Sequence, residues 1–146
     1  MLRRDPFLTQ LQGKLLKREA TLPFYSTVTG SRYTSPTEEL YWWRNVREPV
    51  NFVDGVKALL DDVKPDVIIE LSSAATLLTC VQQIAQDRGS ASPALVTSCQ
   101  RGRDDSLTVL KALAELEVKG VTLDWNHVTR DTASHVTLPR CVGLFV

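Results

Sequence analysis

The sequence predicts an α/β fold with few parallel strands, joined by crossover helices and followed by an extended linker. Apolar residues recur at helical spacing in three segments, and two short runs rich in Val, Ile and Leu lie between them. This helix–strand–helix–strand–helix order favours right-handed crossovers on a parallel sheet. After Trp125 the periodicity disappears, which indicates a linker or tail. The helices are predicted over residues 50–63, 74–87 and 105–118, and the strands over residues 67–71 and 94–98.

The first helix is predicted from a proline near the N-terminus. Asp5 fits the N-cap position, and Pro6 fits the first helical position, where its missing amide hydrogen costs nothing. Four leucines then form one apolar face of this helix: Leu8, Leu11, Leu15 and Leu16.

An extended segment and a second helix follow. Residues 22–29 favour extended backbone, and Gly30 ends the segment. Residues 35–38 (Ser-Pro-Thr-Glu) form a capping box, so a short helix should run through Tyr41 and Trp42. Pro49 stops that helix, because the residue before a proline is pushed out of the helical region.

The two last helices carry their own end signals. Gly89 is predicted to close the helix over residues 74–87. Asp104 or Asp105 can cap the helix over residues 105–118, and Gly120 lies just past its end.

The composition excludes several classes of protein. The 146 residues include 17 basic and 17 acidic side chains, so the formal net charge is zero. A neutral balance argues against nucleic acid as the main partner, since phosphate binding rests on Lys and Arg. The apolar runs are too short to span a membrane, and Asp5, Pro6 and Gln10 interrupt any signal peptide. We therefore expect a cytoplasmic protein with no nucleic-acid or membrane partner.

The cysteines predict neither a disulfide framework nor a metal site. Cys80, Cys99 and Cys141 are odd in number and widely spaced, without a C-x-x-C pair. His127 and His135 both lie in the tail, and no ligand spacing is backed by a second such pair. We expect reduced thiols, no metal and no cofactor.

The sequence predicts part of a fold, with no active-site motif of its own. Two strands are few for an independent domain, since sheets usually hold about four to six, and the helices would leave apolar faces exposed. No G-x-S-x-G elbow, P-loop or G-x-G-x-x-G motif is present.

Several ordered motifs nevertheless resemble one protein family. The segment L-P-F-Y-S-T-V-T-G at residues 22–30 and the block Y-W-W-R-N-V-R-E-P-V-N-F at residues 41–52 are similar to signatures of acyltransferase domains in type I polyketide synthases and animal fatty-acid synthases. The double-Trp block is the most specific part. Weaker similarities follow in the family's order at residues 70–72, 98–105, 118–125 and 138–140.

The resemblance implies the C-terminal portion of the family's large α/β-hydrolase-like subdomain. Residues 1–120 would form this partial subdomain, and residues 121–146 the linker that follows the acyltransferase. The family transfers malonyl or related acyl groups from CoA to acyl carrier protein, so acyl-CoA, the carrier protein and the adjacent ketosynthase side are the implied partners. The family's nucleophilic Ser, its base His and its carboxylate-binding Arg would lie upstream. A chain without them cannot form an acyl-enzyme by the family route.

One site residue is carried over by the resemblance. A backbone carbonyl at the Asn or Gln of the family's N-x-x-x-P-V block orients the catalytic imidazole, and this position is Asn45 here. A helix-ending role for Asn45 before Pro49 is compatible with that function. Trp42, Trp43 and Phe52 are interpreted as packing residues. Arg44 and Arg47 are interpreted as surface or ion-pairing residues.

The chain departs from the family pattern at residues 73–75, where Ser-Ala-Ala replaces Pro-His-Pro. We expect this change to loosen the strand-to-helix turn.

An alternative hypothesis is that the chain is a non-catalytic docking or scaffold piece, which binds a carrier protein or a complementary acyltransferase chain. A third hypothesis is that the chain is a small α/β ligand-binding domain unrelated to the family. In the tail, we expect Trp125 to pack on the chain's own helices and residues 128–146 to be mobile.

Overall fold

The structure, a computed structural model, describes residues 3–89 and 92–128. It contains six helices and four strands within these ranges. Among the described residues, none of the helices is long and apolar enough to cross a membrane. The elements are α1 (Arg4–Leu11), β1 (Tyr25–Ser26), β2 (Ser31–Arg32), α2 (Glu39–Arg47), α3 (Phe52–Asp62), β3 (Val67–Glu70), α4 (Leu78–Asp87), β4 (Ala94–Thr97), α5 (Asp105–Val118) and α6 (Trp125–Val128).

A parallel pair of strands forms the centre of the C-terminal half. β3 pairs with β4 in a register that places Ile69 beside Val96, and α4 provides the crossover between them. Short apolar strands joined through a helix confirm the predicted α/β class. The helices α4 and α5 pack against β4, and α3 packs against α4. The buried apolar side chains of this half are Val81, Ile84, Ala85, Val96 and Leu116.

The predicted C-terminal helices and strands are confirmed to within a few residues. Asp104, rather than Asp105, is the N-cap of α5, because its carboxylate accepts a hydrogen bond from the Leu107 amide at 2.7 Å. Gly89 and Gly120 follow α4 and α5 with φ of 63° and 91°. Both helices therefore end in the left-handed conformation that glycine adopts without steric cost.

The predicted caps of the first two helices are wrong. The N-cap of α1 is Arg3. Asp5 lies inside the first turn, where its negative charge interacts favourably with the positive end of the helix dipole. The helix ends at Leu11, so Leu16 lies outside it and is exposed. Gly13, at a φ of 73°, turns the chain away before the apolar spacing can continue.

The capping box over residues 35–38 also does not form. The N-cap of α2 is Glu38, whose side chain makes no capping bond, and the first turn is held by an ion pair of 2.9 Å between Lys17 and Glu39. At its other end α2 stops at Arg47, and Glu48 before Pro49 is extended, as predicted.

The extended segment at residues 22–29 is a tight hairpin rather than a long strand. β1 pairs antiparallel with β2, and the Ser26 hydroxyl lies 2.9 Å from the Tyr41 hydroxyl in the buried space beneath α2. The Asn51 amide donates to the Thr27 carbonyl at 2.7 Å, and the Asn51 side chain donates to the Val28 carbonyl at 3.1 Å. These bonds attach the hairpin to the start of α3.

Gly30 allows this attachment, which gives a test of the hairpin's role. Its φ is 66°, and a Cβ added there would lie 2.9 Å from the Asp54 Cβ. Gly30→Ala therefore combines backbone strain, worth roughly 1–2 kcal/mol, with a steric clash. We expect a loss of unfolding free energy at least twice that of the control Gly13→Ala, where φ is 73° but no atom lies within 4 Å. Urea unfolding followed by circular dichroism measures both, and equal losses would contradict the close packing of the hairpin on α3.

Candidate functional site

Asn45 lies in the last turn of α2, with its side chain exposed. The backbone carbonyl of the preceding residue, Arg44, accepts a hydrogen bond from the Glu48 amide at 2.8 Å. The residue four positions after Asn45 is Pro49, which has no amide hydrogen to donate. The helical hydrogen bond that would occupy the Asn45 carbonyl therefore cannot form. This carbonyl is an acceptor at a helix end, where the dipole favours a partner carrying positive charge.

Among the aromatic residues next to Asn45, Trp43 has the predicted packing role, whereas Trp42 is 39% exposed. The Trp42 ring meets Tyr41 edge-on at 5.4 Å, and the Trp43 ring lies 5.6 Å from Phe7 of α1. The guanidinium of Arg47 lies 6.0 Å from the centre of the Trp43 ring. Of these contacts, the one between Trp43 and Phe7 attaches α2 to α1.

Arg44 forms the ion pair that the sequence indicates. Its Nε donates to both carboxylate oxygens of Glu48, at 2.9 and 3.0 Å. The pair spans one turn on the surface of the chain, where such a contact contributes less than about 1 kcal/mol.

The carboxyl ends of β3 and β4 hold the second cluster of polar groups. The Glu70 carboxylate accepts hydrogen bonds from the amides of Thr76, Leu77 and Leu78, at 3.0, 3.1 and 3.2 Å. The hydroxyls of Thr76 and Ser72 donate to the same carboxylate, each at 3.1 Å. Glu70 therefore caps α4 from the neighbouring strand, since Leu77 at the N-cap position offers no side-chain acceptor.

This capping restrains the turn that the sequence predicts to be loose. The Ser72 hydroxyl also donates to the Ala74 carbonyl at 2.6 Å, and the Ser72 amide donates to the Ser98 hydroxyl at 3.3 Å. These hydrogen bonds restrain the turn, and the loosening expected from the absence of the two prolines stays a prediction.

The same hydrogen bonds stabilise the negatively charged form of the Glu70 side chain. The amides of Thr76 and Leu77 hold the pKa of this carboxyl below its ordinary value of 4.5, against the opposing effect of burial. A carboxylate with a lowered pKa is a weaker base than an ordinary one.

The remaining candidate residues within the described ranges are two cysteines and one histidine. Cys80 lies exposed on α4 and Cys99 is half-buried, and both are free thiols. His127 lies in α6, where its amide donates to Asp124. Within residues 3–89 and 92–128 no group of three His, Cys, Asp or Glu side chains could hold a metal ion. His135 and Cys141 lie outside the described residues.

A cavity of about 370 Å³ lies at the other end of the parallel strands. Its wall includes Pro65 and Asp66 before β3, and Pro93 before β4. An ion pair between Arg88 and Asp61 crosses its side. The cavity is therefore separate from the Glu70 cluster, which lies beyond the carboxyl ends of the same strands.

Comparison with known proteins identifies the family. The family model of the acyl transferase domain matches residues 4–123. The chain is 37% identical over 124 residues to the spectinabilin polyketide synthase system protein NorA of Streptomyces orinoci, covering 84% of this chain and 6% of the relative. It is 32% identical over 139 residues to the highly reducing polyketide synthase FUM1 of Gibberella moniliformis, covering 91% of this chain and 5% of the relative. The chain belongs to the acyl transferase domain family.

Solved structures show the same relation. The acyltransferase domain from module 8 of the salinomycin polyketide synthase matches with a TM-score of 0.74 and 34% identity, over 84% of this chain and 29% of that one. The loading acyltransferase of the avermectin polyketide synthase matches with a TM-score of 0.69 and 26% identity, over 78% of this chain and 34% of that one. The resemblance found in the sequence is thus confirmed, and the chain spans about a third of these solved acyltransferases.

The Glu70 cap gives a prediction with a defined pH dependence. The folded pKa of Glu70 is lowered, so its stabilisation is present above the unfolded value and is lost as pH falls through the lower folded pKa. Glu70→Gln should lower the free energy of unfolding at pH 7 by about 1 kcal/mol and flatten its pH dependence below pH 5. Urea unfolding between pH 7 and pH 3 measures this, with Glu115→Gln on the exposed side of α5 as control. Equal pH profiles for the Glu70 variant and the parent chain would contradict the cap.

Proposed function

We propose that this chain supplies the C-terminal part of the large subdomain of an acyltransferase domain, with residues 1–120 in the subdomain and residues 121–146 in the linker that follows it. The observation that supports this proposal is the match over residues 4–123 to a family whose solved members are about three times longer than the matched part. By family, such a domain transfers malonyl or related acyl groups from CoA to acyl carrier protein. The adjacent synthase domains would be further partners, in the cytoplasm.

The 146 residues are proposed to be inactive by themselves. They contain no G-x-S-x-G segment, and the hydroxyl at the carboxyl ends of the strands, on Ser72, donates to Glu70 and Ala74 rather than to a histidine. A serine becomes an effective nucleophile only when an adjacent base removes its proton. The acyl group would therefore be carried by a serine outside these residues.

Asn45 is proposed to act through its backbone carbonyl. A complete acyltransferase would place its catalytic histidine against this acceptor, which would hold the imidazole in the required tautomer and orientation. The geometry that supports this role is the helix end itself, because Pro49 leaves the Asn45 carbonyl without its helical donor. The side chain of Asn45 has no part in the proposal.

A second candidate function is that of a docking piece for a complementary acyltransferase chain. The observation that favours it is a stripe of exposed apolar side chains on α5, on the face away from Ala112 and Leu116. Residues at this spacing share one side of a helix, and they would face solvent unless another part of the domain covers them. The stripe consists of Leu107, Leu110, Ala114 and Val118.

Acyl labelling distinguishes these proposals. The purified chain should take up no label from radiolabelled malonyl-CoA, because it lacks the serine and its base. The same chain, co-expressed with the part of the salinomycin module 8 acyltransferase that it does not match, should support labelling of that partner if it can complete the domain. The complete salinomycin domain serves as the positive control. Stoichiometric, hydroxylamine-sensitive label on the isolated chain would show that the proposed inactivity is wrong.

The Asn45 carbonyl can be tested in the co-expressed pair. Pro49→Ala introduces an amide that donates to the Asn45 carbonyl and extends α2, so this acceptor is lost to the histidine. We expect the labelling rate to fall by at least about tenfold, as when a catalytic imidazole loses the group that orients it. Asn45→Ala, which keeps the backbone carbonyl, should label at nearly the parent rate. A loss confined to Asn45→Ala would assign the role to the side chain instead.

A further inference from the structure

A buried hydrogen bond between two side chains joins the hairpin to α2. The hydroxyls of Ser26 and Tyr41 lie 2.9 Å apart, and the two residues are 1% and 7% exposed. Within residues 3–89 and 92–128, these are the only buried residues with a polar side chain. The Ser26 oxygen also accepts a hydrogen bond from the Val28 amide at 3.1 Å. A buried hydroxyl without a partner is costly, so this bond holds the helix at one defined distance from the hairpin.

Tyr41, the helical member of this pair, lies one turn before Asn45. The two residues are four positions apart in α2, so they share one side of the helix in successive turns. A displacement of Tyr41 therefore displaces the turn that carries the Asn45 carbonyl. The Tyr41 ring is itself packed against the hairpin, at 4.9 Å from the ring of Tyr33 and 6.3 Å from that of Phe24.

The same hairpin also holds the chain after the end of α2. Asn51 donates through its backbone amide to the Thr27 carbonyl at 2.7 Å, and through its side chain to the Val28 carbonyl at 3.1 Å. The hairpin thus holds the chain four residues before Asn45, at Tyr41, and six residues after it, at Asn51. A group that orients a catalytic side chain has to be held to within about 0.5 Å, which restraints on both sides favour.

We infer that Ser26 and Tyr41 are positioning residues for acyl transfer, and that they act through the Asn45 carbonyl. The inference rests on the proposed role of this carbonyl as the acceptor for the catalytic histidine. Both hydroxyls are buried, so their effect passes through the helix and not through contact with the substrate. Their bond sets the position that the carbonyl presents to the imidazole. Apolar packing alone would fill the same space without the directional restraint of a hydrogen bond.

Single-turnover labelling of the co-expressed pair by radiolabelled malonyl-CoA tests this inference. Tyr41→Phe removes the hydroxyl and keeps the ring. We expect the rate constant of labelling to fall at least about threefold, because a displacement of about 1 Å can cost about 100-fold in rate. The labelled fraction, which counts assembled domains, should stay at the parent value. Ser26→Ala removes the same bond from the hairpin side and should slow labelling in the same way.

A matched control loses a tyrosine hydroxyl elsewhere in the hairpin. The Tyr25 hydroxyl donates to the Asp62 carboxylate at 3.1 Å in an exposed position at the far end of α3. Tyr25→Phe therefore removes one hydrogen bond of the same chemical type without touching α2. Its rate constant of labelling should equal that of the parent pair.

The double variant Tyr41→Phe with Pro49→Ala separates positioning from a merely structural role. In Pro49→Ala the new amide already occupies the Asn45 carbonyl, so loss of the Tyr41 hydroxyl should slow labelling no further. Two changes that act through one group are not additive, whereas independent effects on stability would add.

Three results would overturn the inference and leave the proposed function standing. They are an unchanged rate constant in Tyr41→Phe or Ser26→Ala, a loss that affects only the labelled fraction, and losses that add fully in the double variant. Two other results would contradict the proposed function itself, and the inference with it. These are a parent pair that takes up no label, and Pro49→Ala labelling at the parent rate.

Discussion

The pairing of β3 with β4 is the constraint on which the C-terminal half depends. The parallel register requires the chain to cross over between the strands, and α4 makes that crossing with Val81, Ile84 and Ala85 buried. Val96 on β4 is then buried, and α5, whose Leu116 is also buried, packs against the same strand. α4 and α5 both pack against β4, so this strand is the surface that the two helices share.

The N-terminal half is organised differently, around hydrogen bonds rather than a sheet. The Ser26 and Tyr41 hydroxyls satisfy each other in a buried position, and Asn51 holds the hairpin through one backbone and one side-chain bond. Tyr41 belongs to α2, which also carries Asn45 in its last turn. The acceptor proposed for the catalytic histidine therefore lies on a helix fixed by buried contacts, as an orienting group requires.

The helices and strands that could be predicted from sequence are those whose apolar residues recur at the spacing typical of that element. The apolar residues of α3, α4 and α5, and the runs of β3 and β4, follow the period of their element, both on covered faces such as that of α4 and on the exposed stripe of α5. A contact from outside the helix is observed at the first turn of α2, whereas α1 ends close to a glycine. Lys17 holds the first turn of α2 from outside that helix, and Gly13 ends the leucine pattern of α1.

In the candidate site, too, local features could be predicted from sequence and contacts between distant residues could not. Asn45 could be located by its resemblance to a family block and by the proline four residues later, both of which are local features. Glu70 as a cap could not be found by the usual rule, which looks for an acceptor directly before the helix. Its partners are six to eight residues away in sequence and meet it only once the strand and the helix are in place.

The position of the Glu70 carboxylate also bears on how this region can change in evolution. Because the cap of α4 belongs to the strand, the helix is anchored to the sheet directly and not through residues 71–75. Insertions or deletions in that short stretch would alter the rim of the domain while the helix kept its place, since surface connections tolerate changes in length. Relatives can therefore differ in the length and chemistry of this rim without rebuilding the layer of helices beneath it.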